Sequence, residues 1–241
     1  DISFIYDSYS CRLEKGTHKG LSRLKNYTRK VSQNYTGICW ALKCDIKKFF
    51  AGVDHNVLLN LLKKKIKDND IIWLLEQIIY SFHSDRGESK GMPLGNLTSQ
   101  VFANIYLNEL DQFAKHELKA KYYIRYADDF LILSKNKEFL NEHIDKLEQV
   151  LNDKLQLELH PNKITLRKLE WGIDFLGYIV LPHYILPKTK TKRRIFKKLK
   201  EKIHLSSFEQ SFRSYLGYLK HADSFEITQQ LKNQVWFWET Q

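Results

Sequence analysis

The sequence predicts an α+β fold, in which strands and helices of irregular order extend to about residue 187 and only helices follow. Two β-rich runs joined by a short acidic turn at residues 122–133 indicate antiparallel pairing. The later part becomes basic and helical in pattern, with nine Lys or Arg among residues 188–202. With 241 residues, 43% of them hydrophobic, the chain is long enough to bury a core. We therefore expect a lead-in over residues 1–37, a mixed domain over 38–187 and a helical domain over 188–241.

Hydrophobic periodicity assigns the elements before the acidic turn. Residues 1–37 mix basic and polar residues without a clean period. Thr98 or Ser99 is the expected N-cap of a helix beginning at Val101, and Asp68, Asn69 and Asp70 offer caps for the helix over residues 71–82. The assigned elements are a strand over residues 39–46, helices over 56–67 and 71–82, a polar loop over 84–90, and a helix over 101–118.

The acidic turn and the elements after it follow the same rules. The runs at residues 122–126 and 130–133 predict a β-hairpin with Asp128 and Asp129 at its turn. Beyond the hairpin we expect a helix over residues 137–151, strands over 155–159 and 175–181, and helices over 188–202, 207–220 and 227–238.

Charge and cysteine content limit the partners and the compartment. Lys and Arg number 39 against 28 Asp and Glu, a formal charge of +11, for which nucleic acid is the commonest partner. A membrane surface or a plain compositional bias are the alternatives. Three cysteines with no CxxC pairing indicate a reduced, cytoplasmic chain without a disulfide framework or a zinc site. No apolar run is long enough to span a bilayer, so we expect no membrane partner.

Three carboxylates are the candidates for chemistry. Asp128 and Asp129 repel each other inside an apolar run, which is costly unless a cation neutralises them. Mg²⁺ is the natural hard cation, and two such ions stabilise the attacking and leaving oxygens of phosphoryl transfer. Asp45, at the end of a predicted strand, is the best candidate for the third ligand. The alternative is that the adjacent acids are only a turn signal.

The order of these residues along the chain resembles the reverse transcriptase family. Each segment alone is weakly specific, but together they extend over residues 38–178 in the family's order. Residues 44–55 resemble its first palm motif, 91–108 its template–nucleotide loop and helix, 126–129 (Tyr-Ala-Asp-Asp) its catalytic hairpin, 159–163 the following motif, and 175–178 its primer grip. The resemblance implies a right-hand polymerase palm, an antiparallel sheet with packed helices, over residues 38–187, an all-helical thumb after it, and partial fingers before it.

The resemblance also implies the metal ligands and the acid. Asp45, Asp128 and, more peripherally, Asp129 would hold two Mg²⁺ ions, with Mn²⁺ as the substitute, and the Ile46 carbonyl would help. Lys163 lies near the family's candidate general acid for pyrophosphate; a solvated loop lysine is the alternative.

The remaining implied residues would contact the nucleotide and the primer. Phe50 lies where the family keeps an aromatic steric gate that excludes a 2′-hydroxyl, so the product would be DNA; an ordinary core Phe is the alternative. Leu94, Gly95 and Gln100 lie in the nucleotide-binding loop. Gly177 would let the primer backbone approach closely, because it has no Cβ.

The basic helix lies where the family's thumb begins. Its cations would follow phosphates in a salt-dependent contact, and a solvated charged face is the alternative. The nucleic-acid-binding candidates are Lys192, Arg193, Arg194, Lys197 and Lys198. The implied partners are an RNA template, a DNA or RNA primer and dNTPs.

One departure from the common family pattern suggests a subfamily. Most relatives carry Gln before the second loop glycine and end the loop with Ser-Pro, whereas this chain has Leu94 and then Ser99-Gln100. The loop, with residues 8–18 and 217–224, resembles enzymes of diversity-generating retroelements, which copy RNA with frequent errors at adenines and use a small basic accessory protein. An aliphatic Leu94 removes a side-chain amide beside the nucleotide, a loss of about 1 kcal/mol of discrimination.

Two other functions stay open at this point. One is a reverse transcriptase of the group II intron, retron or defence-associated type, although the Ser-Gln ending disfavours the intron type. The other is a fingerless, inactive palm that binds RNA or an accessory protein. The family's fingers begin before the position matching Asp1, and Asp1 is not Met, so we expect an N-terminal truncation.

Overall fold

The computed structural model describes residues 3–82, 89–93 and 95–240, and it confirms the α+β fold. The helices are α1 (Thr17–Val31), α2 (Phe49–Gly52), α3 (His55–Lys65), α4 (Asn69–Tyr80), α5 (Leu97–Gln112), α6 (Lys137–Leu155), α7 (Thr189–Lys202), α8 (Phe208–Leu219) and α9 (Phe225–Glu239). The strands are β1 (Trp40–Asp45), β2 (Tyr122–Tyr126), β3 (Asp129–Ser134), β4 (Thr165–Lys168), β5 (Ile173–Phe175), β6 (Tyr178–Val180) and β7 (Ile185–Pro187).

A four-stranded antiparallel sheet of order β2-β3-β1-β4 separates two layers of core. One face buries Leu42, Cys44 and Ile132 against α3, α5 and α6. The opposite face buries Ala41 and Leu131 beneath α1 and a smaller sheet of order β5-β6-β7. The alternation follows from the two-residue period of a strand, which sends neighbouring side chains to opposite faces.

The helix α1 lies where no clean period was predicted. Its buried positions, Leu21, Leu24, Thr28 and Val31, recur every three or four residues and form one continuous stripe. Basic and polar residues fill the other positions, which lowers the average hydrophobicity and hides the stripe. Because residues 1–37 show no clean period, no element was predicted there, and this helix was missed.

Two predicted boundaries were also wrong. A strand was expected over residues 155–159, but α6 continues through Leu155, because Leu147, Leu151 and Leu155 keep one buried face. The helix ends at Gln156 in a left-handed conformation, φ 50°. The helix α5 begins at Leu97 with Asn96 in the cap position, and Asn96 makes no side-chain cap hydrogen bond, so neither Thr98 nor Ser99 is the cap.

The strand predicted over residues 175–181 is a tight hairpin. Strands β5 and β6 pair antiparallel, with Phe175 opposite Tyr178. The two residues between them, Leu176 and Gly177, have φ of 53° and 88°, as in a two-residue turn of primed type. The sequence did not indicate this turn, because residues 175–181 are apolar except for Gly177, which is the single turn-forming residue among them.

The three C-terminal helices have a core of their own. Ile195 and Leu199 of α7 pack with Phe208 and Leu219 of α8 and with Leu231 of α9. The helical character predicted after residue 187 is thus confirmed, while the domain boundary itself stays a prediction. No helix among the described residues is both long and apolar enough to cross a membrane.

Candidate active site

The three candidate carboxylates meet at one end of the four-stranded sheet. Antiparallel pairing of β1 with β3 places Asp45 directly opposite Asp129. Asp128 precedes Asp129 in the β2–β3 turn, and its carbonyl accepts a hydrogen bond from the Ile46 N–H at 3.3 Å. The structure therefore brings Asp45, Ile46, Asp128 and Asp129 together, although their metal-binding roles stay predictions.

The turn that carries Asp128 is short and constrained. Tyr126 pairs with Asp129, which leaves Ala127 and Asp128 as its two central residues. Ala127 has φ 53°, in the left-handed region that a residue with a Cβ seldom adopts. The Ala127 carbonyl is held by a hydrogen bond of 3.0 Å from the Arg125 guanidinium. The geometry of the acidic turn thus depends on a side chain as well as on the strand pairing.

Two lysines neutralise part of the acidic charge. Lys43 Nζ lies 3.0 Å from Asp129 Oδ2, and Lys163 Nζ donates to Asp45 Oδ1 at 2.8 Å. Lys43 lies two residues before Asp45 on β1, so strand alternation places both on the same face. Lys163 has its pKa raised, chiefly by its hydrogen bond to Asp45, and it therefore holds its proton at neutral pH.

Burial makes the two turn acids reluctant to ionise. Burial raises the pKa of Asp128, and the charge of nearby Asp45 adds to the effect. Burial also raises the pKa of Asp129 to about 6; the Lys43 ammonium opposes this rise, and the charges of Asp45 and Asp128 add to it. Closely spaced, desolvated carboxylates are a common feature of sites that bind a cation.

The oxygen donors suit a divalent cation, but the lysines occupy two of the carboxylates. Within the described ranges, no group of three or more His, Cys, Asp or Glu side chains is already arranged to hold a metal ion. Asp129 Oδ1 is buried without a hydrogen-bond partner, as an oxygen awaiting a ligand would be. The Lys163 side chain is 53% exposed, so it can leave Asp45 at little cost. Asp45 and Asp128 would then hold Mg²⁺ or Mn²⁺.

The predicted nucleotide loop is fastened to the segment after Asp45. Met92 N–H donates to the Phe50 carbonyl and Gly91 N–H to the Val53 carbonyl, each at 2.7 Å. His55 is buried, and its Nε2 lies 2.9 Å from the Gly91 carbonyl. A Cβ at Gly91 would lie 2.7 Å from the Phe82 ring. His55 and Gly91 lie at the ends of two of the segments that resemble family motifs, but neither of them had an expected role from the sequence.

The four predicted nucleotide-contacting residues differ in what surrounds them. The Phe50 ring is half-buried and meets the Phe49 ring edge to face at 5.2 Å. Gly95 is exposed with φ 94°, and Gln100 is half-buried on the first turn of α5. Leu94 lies outside the described residues, so its prediction has no structural counterpart.

Gly177 lies in the β5–β6 turn against the helical region. Its carbonyl accepts hydrogen bonds from the Tyr218 hydroxyl at 2.6 Å and from the Lys188 N–H at 3.0 Å. The Tyr178 hydroxyl donates in turn to the Tyr218 carbonyl at 2.9 Å, and the two rings stack. These bonds tie the predicted primer grip to α8 and to the start of α7.

A groove of about 440 Å³ runs from Asp45 toward the helical region. Lys43, Lys163, Arg167 and Lys188 line it on several elements. On α7, Ile195 and Leu199 face the core, while Arg193, Arg194, Lys197 and Lys198 are exposed and Lys192 is half-buried. The structure therefore presents the predicted cations to solvent, as a phosphate-binding helix requires, but a solvated face would look the same.

Comparisons with known proteins agree with this arrangement. Residues 3–180 match the family described as reverse transcriptase (RNA-dependent DNA polymerase). Protein YkfC of Escherichia coli (strain K12) is 26% identical over 207 residues, which cover 71% of this chain and 54% of that protein. Group II intron-encoded protein LtrA of Lactococcus lactis subsp. cremoris is 25% identical over 237 residues, which cover 71% of this chain and 38% of that protein.

Solved structures show a similar fold. The telomerase from Candida albicans, in complex with the TWJ fragment of telomeric RNA, superimposes with a TM-score of 0.60 at 11% identity. The similarity covers 97% of this chain and 49% of that one. The chain thus spans about half or less of the proteins it matches, and these similarities concern the part that it shares with them.

We expect Asp129→Asn to stabilise the metal-free chain at neutral pH. The pKa of Asp129 is about 6 in the folded chain and about 3.9 in the unfolded chain, so ionising this residue destabilises the fold. The cost grows as the pH rises between these two values, is complete above about pH 6, and disappears below both. The free energy of unfolding should rise by about 1 kcal/mol at neutral pH and by less at about pH 5. Denaturant unfolding with a chelator present measures both, and exposed Asp145→Asn should change neither. A loss of stability at neutral pH would contradict the prediction.

Gly177→Ala and Gly217→Ala should change stability in opposite directions. At Gly177, φ is 88° and a Cβ would lie 3.1 Å from Tyr218 Oη, so the variant should lose about 1 kcal/mol or more. At Gly217, inside α8, a Cβ meets nothing within 4 Å, so the helix should gain about 0.5–1 kcal/mol. Denaturant unfolding distinguishes the two, and equal effects would argue against a constrained turn at Gly177.

Proposed function

This chain belongs to the reverse transcriptase family, and we propose that it acts as an RNA-directed DNA polymerase that makes cDNA by two-metal nucleotidyl transfer. The observation that carries the proposal is the meeting of Asp45 with the Asp128–Asp129 turn at the end of a groove lined with cations. The family match covers the acids, the nucleotide loop and the primer-grip turn.

Each side chain at the site would have a distinct part in the reaction. Asp45 and Asp128 would hold the metal ions, with Asp129 behind them and the Ile46 backbone beside them. When bound, the ions neutralise the charge that develops on the attacking and leaving oxygens. Lys163 carries a proton on Nζ and would donate it to the departing pyrophosphate after leaving Asp45, because its hydrogen bond to that carboxylate raises its pKa and holds the proton in place.

The choice of sugar would depend on Phe50. The Phe50 carbonyl is held by Met92 N–H, and its ring packs against Phe49, which is 2% exposed. A ring that cannot withdraw would collide with a 2′-hydroxyl, which favours dNTPs over ribonucleotides. Gly95 and Gln100 would border the same nucleotide from the loop and from α5.

The nucleic-acid partners would be an RNA template and a DNA or RNA primer. The exposed cations of α7 and the groove beside Asp45 offer phosphate contacts at the two ends of one path. Gly177, in the β5–β6 turn, would border the primer. We place the palm over residues 38–187 and the thumb over 188–241.

We further propose that the enzyme belongs to an error-prone, diversity-generating retroelement and works with a small basic accessory protein. The support is the loop sequence with Leu94 and Ser99-Gln100. The competing assignment is a group II intron enzyme, which the similarity to an intron-encoded protein favours. Errors concentrated at template adenines are expected of the first assignment only.

Asp128→Asn should abolish synthesis. Losing one of the carboxylates that would hold the metal ions should lower RNA-templated primer extension by about 100-fold or more, and chelating the divalent ions should stop it in the unchanged protein. Exposed Asp145→Asn on α6 is the matched control and should extend normally. If the Asp128 variant extends primers as well as the unchanged protein, the site is not a polymerase centre and an RNA-binding role is favoured.

Removing two exposed lysines from α7 should weaken nucleic-acid binding in a salt-dependent manner. With Lys197 and Lys198 both changed to Ala, the slope of log affinity against log salt should become shallower by roughly 1 to 2, because each phosphate contact contributes about 0.9. Exposed Lys146→Ala on α6 should leave the slope unchanged. Titration of a labelled primer–template at several salt concentrations measures this, and an unaltered slope would mean that these lysines are merely solvated.

Leu94→Gln should raise fidelity at template adenines. Restoring a side-chain amide beside the nucleotide should reduce adenine errors by about fivefold, the equivalent of about 1 kcal/mol. Sequencing of the extension products gives the error rate at each base, with exposed Leu74→Gln as the control. An unchanged adenine error rate would exclude Leu94 as the cause.

A further inference from the structure

A buried ion pair lies directly beneath the acidic turn. Arg125 of β2 is 1% exposed and Asp111 of α5 is fully buried. The guanidinium meets the carboxylate twice, Nε to Oδ1 at 2.7 Å and Nη2 to Oδ2 at 2.6 Å, and the Tyr123 hydroxyl donates to Oδ1 at 2.8 Å. The planar fork geometry fixes the guanidinium in orientation as well as in position.

The same guanidinium reaches two further parts of the chain. Its Nη1 donates to the Ala127 carbonyl at 3.0 Å, and its Nη2 donates to Ser8 Oγ at 3.2 Å. The Arg125 backbone is also held on that side, because its N–H donates to the Asp7 carbonyl and its carbonyl accepts from Tyr9 N–H, both at 2.9 Å. One side chain thus connects α5, the N-terminal segment and the acidic turn.

The contact with Ala127 bears directly on Asp128. The Ala127 carbonyl and the Asp128 N–H belong to one planar peptide unit, so a hydrogen bond that holds the carbonyl oxygen also fixes the position of the Asp128 backbone nitrogen. Ala127 has φ 53°, a conformation that costs a residue with a Cβ on the order of 1 kcal/mol. Such a conformation persists only where its surroundings determine it, and the Arg125 hydrogen bond is a charged one.

Stability alone does not account for the pair. Taking both charges out of water offsets most of their attraction, so a buried ion pair adds little net stability compared with apolar residues. We propose that Arg125, anchored by Asp111, is a positioning residue that fixes the Ala127–Asp128 peptide and thereby aims the Asp128 carboxylate. The catalytic part of this inference rests on the proposed function, because it assumes that Asp128 serves nucleotidyl transfer.

The experiment combines an amide–carbonyl spectrum with kinetics on Arg125→Lys, which keeps the charge for Asp111 but loses the fork. The sequence contains two Ala–Asp peptides, Ala127–Asp128 and Ala222–Asp223. Labelling alanine carbonyls with ¹³C and aspartate amides with ¹⁵N therefore yields two cross-peaks, one from the acidic turn and one an internal reference. We expect the turn peak to move and the reference peak to stay.

In primer extension, the variant should lose about tenfold in kcat, the equivalent of one charged hydrogen bond, while the KM for dNTP and the affinity for primer–template stay unchanged. Exposed Arg29→Lys, whose Nε bonds Asn34, is the matched control and should alter neither spectrum nor rate. A turn peak that does not move would overturn the inference. So would a loss of kcat that is fully explained by a smaller folded fraction of the variant, as denaturant unfolding measures it.

A second variant tests the inference if Arg125→Lys does not fold. Asp111→Asn keeps the arginine but weakens its anchor, and the turn peak must move in this variant as well. Should the unchanged protein extend no primer, the proposed function fails, whereas the spectra still decide whether Arg125 holds the turn.

Discussion

The pairing of β1 with β3 is the constraint on which the rest of the site depends. A single register puts Asp45 opposite Asp129 and sends Leu42 and Cys44 to the core. A slip of one residue would turn every β1 side chain to the other face and move Asp45 toward the core that Leu42 and Cys44 now fill. Because the core enforces the register, the energy of hydrophobic burial is what holds mutually repelling acids together.

Ion pairs along the groove balance part of the charge of these acids. The three lysines that line the groove with a carboxylate partner are Lys43, which pairs with Asp129, Lys163, which pairs with Asp45, and Lys188, which pairs with Asp174. Lys43 and Asp129, like Lys163 and Asp45, are far apart in sequence, so these two pairs form only on folding.

What the sequence could predict depended on whether the signal was local. The β2–β3 hairpin, Asp68 as a cap and the helices around them follow from nearby periodicity and turn chemistry, and the structure confirms them. The stripe of α1 was hidden by its basic residues, and the turn at Leu176-Gly177 by an unbroken apolar run. Lys43 could have been identified, since strand alternation already places it beside Asp45. The contacts of Arg125 could not, because Asp111 and Ser8 approach it only in three dimensions.

The lysine pairs have a consequence for how the site fills. An ammonium on Asp45 and another on Asp129 act as built-in competitors of any divalent ion, so ion affinity is lowered by the fraction of time that the carboxylates are engaged. If the proposed function holds, the phosphates of a nucleotide would offer Lys163 a second anion, and Asp45 would become free for the ion that accompanies the nucleotide. Ion and nucleotide would then bind with positive cooperativity, and each alone would bind weakly. In the protein without substrate, the two lysines would thus occupy the carboxylates until a bound nucleotide draws Lys163 away.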